Sequence, residues 1–449
     1  MNRVMLDWRL LPLPLILACG QPDVAPPENI VAQLSTDIVT VVHVTWTTSE
    51  PSVGYVQFGR TEDMDGRTPL EAEPRTNHSA TLLGLTSDTQ IHYRVVTWDG
   101  EDAAASGRGT LRTGKLPLAL PTIVKTGTGH DSYTIVPLLG ATTAVAILDG
   151  EGRYVWYRSD DRDLDIYRAR ISRDGNSILY NAASVSGDLA DNSEIVRVPL
   201  DGSQVTSTPV PLLAHDFVEL PDGTLGAIAV EYRDFEGAPL RGDKIIEVAA
   251  DGTQTVIWTS WDCFDPTVDQ GDDMISHGWT FANALDYDPQ DQAYYIGMRN
   301  FSSIAKIDRA TGACLWVLGS TAATITFDDA APRFLHQHQF EVRGDRILIF
   351  DNDGSPAMES RVLEYSLDLQ NGVANHVWSY LSDPTVFSFV LGEPTRLDNG
   401  DTLINWSAAG QIERVTPDGE SRWKINTPAG YAFGFHTLAK TMYPRPTPN

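Results

Sequence analysis

The sequence predicts an all-β protein: a six-bladed β-propeller preceded by a smaller β-sandwich. The first observation is a repeat. An apolar strand, a turn with glycine and a strand often holding tryptophan recur six times. The turn glycines Gly150, Gly202, Gly252, Gly312, Gly372 and Gly419 fall 47 to 60 residues apart. Units of that length with about four strands each are propeller blades. The second observation is one strand left over after the sixth hairpin, Phe433 to Leu438. Pairing it with the first blade closes the ring and leaves no unsatisfied blade edge. The third is composition: 449 residues, 42% hydrophobic and 21% charged, are enough for a packed core. A formal charge of −27 repels phosphate backbones and excludes a nucleic-acid binder. Three cysteines are too few for a disulfide scaffold or a four-thiolate zinc site.

At the N-terminus, Arg3 and Arg9 precede an apolar stretch from Leu10 to Ala18. A charged start, a short apolar run and a small residue before the cut make a secretion signal. Ile16-Leu17-Ala18-Cys19 resembles a bacterial lipobox, which implies a signal peptide over 1–18 and acyl chains on Cys19. Gly20 after the cysteine points to the outer membrane, with the body facing the periplasm or the cell surface. Residues 19–28 read as a tether. Residues 29–115 read as one all-β unit, with strands at Val39–Trp46, Gly54–Gly59, His78–Leu82 and Ile91–Val96. This unit resembles a fibronectin type III-like domain, with Trp46 as the core tryptophan and Leu85 and Tyr93 forming a tyrosine corner.

Residues 116–449 form the propeller. Outer hairpins start at Ala146, Val196, Ile246, Ala305, Leu363 and Glu413. Inner hairpins alternate with them, beginning at Arg168, His215, Phe281, His336 and Glu393. Inner strands start at one rim of the central channel, and four of the ten histidines fall at such starts: His215, His336, His338 and His436. A buried inner strand can also hold a histidine for packing alone.

Six segments follow in order: Trp279–Pro289, Tyr294–Ile304, Lys306–Gly312, Leu315–Gly319, His336–Gln339 and Ile349–Gly354. Together they resemble the bacterial arylsulfotransferase family, which needs no nucleotide sulfate donor. The resemblance is specific from about Leu212 to Tyr365 and looser elsewhere. It implies a six-bladed propeller that moves a sulfuryl group between phenols through a sulfohistidine in the central channel. His338 matches the nucleophile, His215 a channel histidine, and Arg299 the sulfate-binding arginine. Asn283 matches the asparagine of the family's His-x-Asn element. That element's histidine is Phe281 here, and His277 lies four residues earlier.

The chemistry agrees with these residue types. A sulfate ester spreads one negative charge over three oxygens. Transfer needs a neutral nucleophile, and imidazole with a pKa of ~6.5 is largely neutral at pH 7. It needs cationic donors on the oxygens, and guanidinium grips an oxyanion pair. A second imidazole, His215, can protonate the leaving phenolate. His336 and His436 complete the expected substrate-binding set with Asn283, and Phe281 adds an apolar wall for an aromatic ring. An acidic body steers anions away, so a local positive patch is expected, from Arg299 with Arg168, Arg170 or Arg396. The expected partners are a small aryl sulfate and a phenol, with no cofactor and no metal. Asp265, Asp269, Asp272 and Asp273 crowd one loop, but their spacing fits no EF-hand. Cys263 and Cys314 remain after lipidation, either free or paired. The other functional class open to this sequence is a non-catalytic surface propeller that binds a ligand or protein.

Overall fold

The computed structural model describes residues 24–443, apart from 161, 163, 184–191, 272–277 and 353–357. The signal peptide, Cys19 and His277 lie outside the described residues. The chain divides into two compact units, Met1–Lys115 and Leu116–Asn449.

In the first unit one long strand, Val42–Gly59, serves two sets of partners. Its first part pairs with Glu28–Leu34 and Arg75–Leu82. Its second part pairs with Gly66–Arg67 and Gln90–Trp98. The register breaks between Thr47 and Ser52, next to Pro51, which cannot donate to a ladder. Trp46 is buried and stacks on His78 with ring centroids 4.9 Å apart. Tyr93 packs over Gly109, where a Cβ would lie 2.4 Å from its ring.

The second unit contains six sheets in sequence, the blades of a propeller. Blade 1 holds Tyr133–Leu139, Ala144–Leu148 and Tyr154–Ser159. Blade 2 runs from Ala169–Ile171 to Thr206–Pro209, and blade 3 from Leu213–Glu219 to Gln254–Thr259. Blade 4 runs from Ala282–Asp288 to Cys314–Leu318, and blade 5 from Phe340–Arg343 to Val373–Tyr380. Blade 6 runs from Glu393–Arg396 to Ser421–Asn426.

Second strands such as Ser177–Ala182 and Ala293–Met298 are buried along their whole length, because neighbouring blades cover both faces. The outer strand Val373–Tyr380 has half of its residues exposed. The repeated tryptophans have a definite role at two joints. Trp156 Nε1 donates to the Leu200 carbonyl of the next blade at 3.1 Å, and Trp378 Nε1 to that of Pro417 at 2.8 Å. Of the six turn glycines, all but Gly150 have positive φ. At Gly150 a Cβ would fall 1.5 Å from the His130 carbonyl oxygen. Cys263 and Cys314 form a disulfide, Cα atoms 6.0 Å apart, that joins blade 3 to the outer strand of blade 4.

The ring closes twice. The leftover segment is the innermost strand of blade 1, in two pieces: Ala432–Phe433 and Thr437–Ala439 both pair with Tyr133–Leu139. The sequence pattern missed the other closure. Val124–Gly127 adds a fifth, outermost strand to blade 6.

At the axis one buried network joins all six blades. Arg168 of blade 2 donates from Nε to Asp216 of blade 3 at 2.9 Å. Its Nη1 donates to Glu393 of blade 6 at 2.9 and 3.0 Å, and to the His436 carbonyl of blade 1 at 2.8 Å. Asp216 also accepts from the Leu285 amide of blade 4 at 3.0 Å and from Gln339 of blade 5. Arg168 and Asp216 are essentially inaccessible. Burial alone would raise the Asp216 pKa, but Arg168 and Arg170 hold it below the usual value.

Removing one member of a buried pair strands the other. Asp216→Asn is expected to cost ~3–5 kcal/mol, read as a lower urea midpoint. A loss under ~1 kcal/mol would show that the network is not structural. Truncation before Ala432 is expected to give insoluble protein, because Tyr133–Leu139 loses its inner partner and the network its blade 1 member. A soluble, cooperatively melting truncation would contradict this.

Candidate active site

Directly beside the network lies a cluster of imidazole and aromatic rings. His215 occupies the innermost strand of blade 3. Between Leu213 and Phe217 that strand advances four residues while its partner advances two, from Ala229 to Ala227. The intervening residues form a bulge, and bulges re-aim side chains. Asn181 holds the bulge, donating to the carbonyls of Ala214 at 3.1 Å and His215 at 3.0 Å. Its Oδ1 accepts from the amides of Tyr167 and Arg168 at 3.1 and 2.8 Å.

Blade 4 repeats the device. The register slips at Asn283, whose Nδ2 donates to the Gln337 carbonyl at 2.8 Å. Asn283 therefore ties down the segment that carries His338. Phe281 lies just ahead of the strand with φ 48°, an unusual left-handed conformation for a bulky residue. Asp243 accepts from the Ala282 amide at 2.7 Å and from Thr280, on either side of Phe281. The Phe281 ring stands edge-on to His215, centroids 5.0 Å apart. Two guanidiniums flank it: Arg241 at 5.5 Å and Arg299 at 5.9 Å from the ring centre.

His338 was expected two residues into an inner strand. That strand begins at Phe340, so His336 to Gln339 form an irregular approach to it. His336 has φ 52°, is half-buried, and donates its amide to Ser302 Oγ at 3.0 Å. Simple alternation thus does not relate His336 to His338. His338 is only 1% exposed. Its ring lies 6.3 Å from that of His215 and 6.2 Å from that of Phe435. Its Nδ1 is 2.8 Å from Asn352 Oδ1. Burial pushes its pKa well below 6.5, with His215 and Arg299 adding to the effect; Asn352 opposes it.

The remaining expected residues sit elsewhere. His436 is buried among Thr395 and Glu393; its Nε2 is 3.0 Å from Thr395 Oγ1, and burial lowers its pKa to about 3. Its backbone belongs to the axial network. Arg168, Arg170 and Arg396, expected in a positive patch, are committed to carboxylates: Asp216 and Glu393, Asp216, and Glu364 respectively. Asp265 and Asp269 bond Thr267 and Thr321, and no group of three metal-binding side chains occurs among the described residues. A cavity of about 270 Å³ lies elsewhere, lined by Arg158, Asp160, Arg162 and Tyr180 among others. Tyr180 there donates to Asp160 at 2.8 Å.

Sequence reasoning missed Arg241, Asn352 and Tyr167, whose ring is 5.2 Å from His215. Asn352 had a signal, since it lies in the Ile349–Gly354 segment. Arg241 had none, because the blade 3 hairpin that carries it continues past the repeat to Phe235 and Ala238. The assembled site offers a neutral imidazole, a second imidazole, a nearby guanidinium and aromatic walls. That set suits attack on an anionic group attached to an aromatic ring.

Residues 139–429 match the model of the family described as Arylsulfotransferase (ASST). No curated protein matches. Among solved structures, a protein of unknown function from Bacteroides caccae is 12% identical, with 68% of this chain and 98% of that one covered and a TM-score of 0.45. An auxiliary nutrient binding protein from Bacteroides ovatus is also 12% identical, covering 89% and 86%, with a TM-score of 0.40.

Because burial disfavours the charged ring, the NMR titration of His338 is expected to have its midpoint well below pH 6.5. A midpoint at or above 6.5 would mean that the ring is solvated or paired with an anion.

Proposed function

The chain belongs to the arylsulfotransferase family, and on that premise we propose that it moves a sulfuryl group from an aryl sulfate ester to a phenol through a sulfohistidine at His338. One observation carries the reading: His338 is a buried imidazole whose ring lies 6.3 Å from a second imidazole, His215, and burial pushes its pKa well below 6.5. A neutral ring has a free lone pair and is a competent nucleophile, whereas a protonated one is not.

In the first half-reaction an imidazole lone pair forms an N–S bond and the S–O bond to the aryl group breaks. The electron pair leaves on the phenolate oxygen, which takes a proton from His215 or solvent. In the second half-reaction the acceptor phenol attacks sulfur. Its proton goes to His215, and the N–S electron pair returns to His338. Arg299 holds the sulfuryl oxygens, where a fork of donors suits an oxyanion pair. Phe281, where the family pattern has histidine, serves as an aromatic wall rather than a donor. Proton assistance comes from His215 alone on that side. A phenol with a pKa of ~10 is a good enough leaving group to allow this.

We also propose that the acyl chains on Cys19 anchor the protein in the outer membrane. The N-terminal unit then acts as a fibronectin type III-like spacer.

Incubation with a chromogenic aryl sulfate is expected to raise the intact mass by one sulfuryl group. His338→Asn should abolish both the adduct and the transfer, and His215→Asn should slow transfer ~100-fold or more. An adduct that persists in His338→Asn, or a binding-only protein with no adduct, would overturn the assignment.

A further inference from the structure

We propose that Asn352 is a positioning residue that sets the tautomer of His338, so that Nε2 takes and returns the sulfuryl group. This rests on the transfer reading above. Asn352 is 1% exposed, and its amide nitrogen donates to the carbonyls of Ser388 and Leu391, both at 2.7 Å. An amide nitrogen has two hydrogens, and both are used. Flipping the amide would set its oxygen against two carbonyl oxygens, so the orientation is determined. Oδ1 then faces His338 Nδ1 at 2.8 Å and can only accept. Nδ1 must carry the hydrogen. A neutral imidazole has one N–H, so the lone pair is on Nε2.

The anchor is itself rigid. Ser360 Oγ donates to the Asn352 carbonyl at 2.9 Å and accepts from the Ser388 amide at 2.8 Å. The turn ends at Gly392, with φ 108°, where a Cβ would lie 2.2 Å from the Phe350 ring. The loop between blades 5 and 6 is thus shaped to present two carbonyls to one side chain.

The choice of an amide over a carboxylate follows from charge. Either can accept from Nδ1–H, but a carboxylate would favour the imidazolium and remove the lone pair. After transfer, the ring bears sulfur on Nε2 and hydrogen on Nδ1, and so carries positive charge. A carboxylate would stabilise that state and slow departure of the sulfuryl group. Among the described residues, the other groups facing His338 add no anion. They are His215 from blade 3, Arg299 from blade 4, His336 from its own segment, and the apolar Phe435 from blade 1, with Arg168 behind it at 4.7 Å. The adjacent Asp351 is paired with Arg361 at 2.8 Å. During both half-reactions the Nδ1 hydrogen stays in place, and only the Nε2 pair forms and breaks the N–S bond.

The test uses the full chain with 15N-labelled histidine, the His338 signals being assigned by their loss in His338→Asn. At pH 7, Nδ1 is expected to be protonated and Nε2 unprotonated; the opposite tautomer overturns the proposal. Asn352→Asp should move the acid limb of kcat/KM up by ~1 pH unit or more and lengthen the life of the sulfo-enzyme. Asn352→Leu should lower transfer ~100-fold with no upward shift of the limb. An unmoved limb in a folded Asn352→Asp protein overturns the proposal; if that variant does not fold, the wild-type tautomer decides. A wild-type protein with protonated Nδ1 but no transfer would overturn the function and leave the role of Asn352 intact.

Discussion

The ion pair between Arg168 and Asp216 is the constraint on which the rest of the molecule depends. A propeller's blades are similar sheets whose apolar faces pack in many near-equivalent ways. What makes the axis unique is a charged pair with no access to water. Each charge must find its partners at one setting of the ring, or its burial is uncompensated. Asp216 takes partners from blades 2, 4 and 5, and Arg168 extends the set to blades 6 and 1. The inner strands are thereby held in one mutual register.

That register builds the site. Residues of the network are sequence neighbours of residues of the ring cluster: Arg168 of Tyr167, Asp216 of His215, Gln339 of His338, and His436 of Phe435. A layer of charge and a layer of rings are thus stacked along the axis. Neither can shift without the other. Phe435 separates them, with Arg168 4.7 Å from its ring and His338 6.2 Å away. Within the network Arg168 is paired with Asp216 and Glu393, and Arg170 with Asp216. Arg299 then supplies local positive charge inside a body of −27.

Irregular backbone at the site has the same logic. Regular strands would alternate their side chains and point every second one away from the axis. The slips at Leu213–Phe217 and Asn283, and the left-handed residues Phe281 and His336, break that alternation. Side chains hold these distortions: Asn181 at His215, Asp243 beside Phe281, and Ser302 at His336, while Asn283 bonds the Gln337 carbonyl.

The sequence by itself determined the number of blades, the closing strand and the gathering of His215, Phe281, Arg299 and His338. These follow from local patterns: a turn glycine forced by positive φ, a tryptophan at fixed spacing, a motif in continuous segments. Only the tertiary structure decided what each charged or amide side chain does. Arg168 looked available to a substrate, yet its partners lie 48, 225 and 268 residues along the chain. Val124–Gly127 has no repeat signature, since it is recruited by an edge formed three hundred residues later. Asn352 owes its role to a loop 36 and 39 residues away that turns two carbonyls toward it. Hydrogen bonds and ion pairs act over a few ångströms with no fixed sequence separation, so spacing alone cannot assign them.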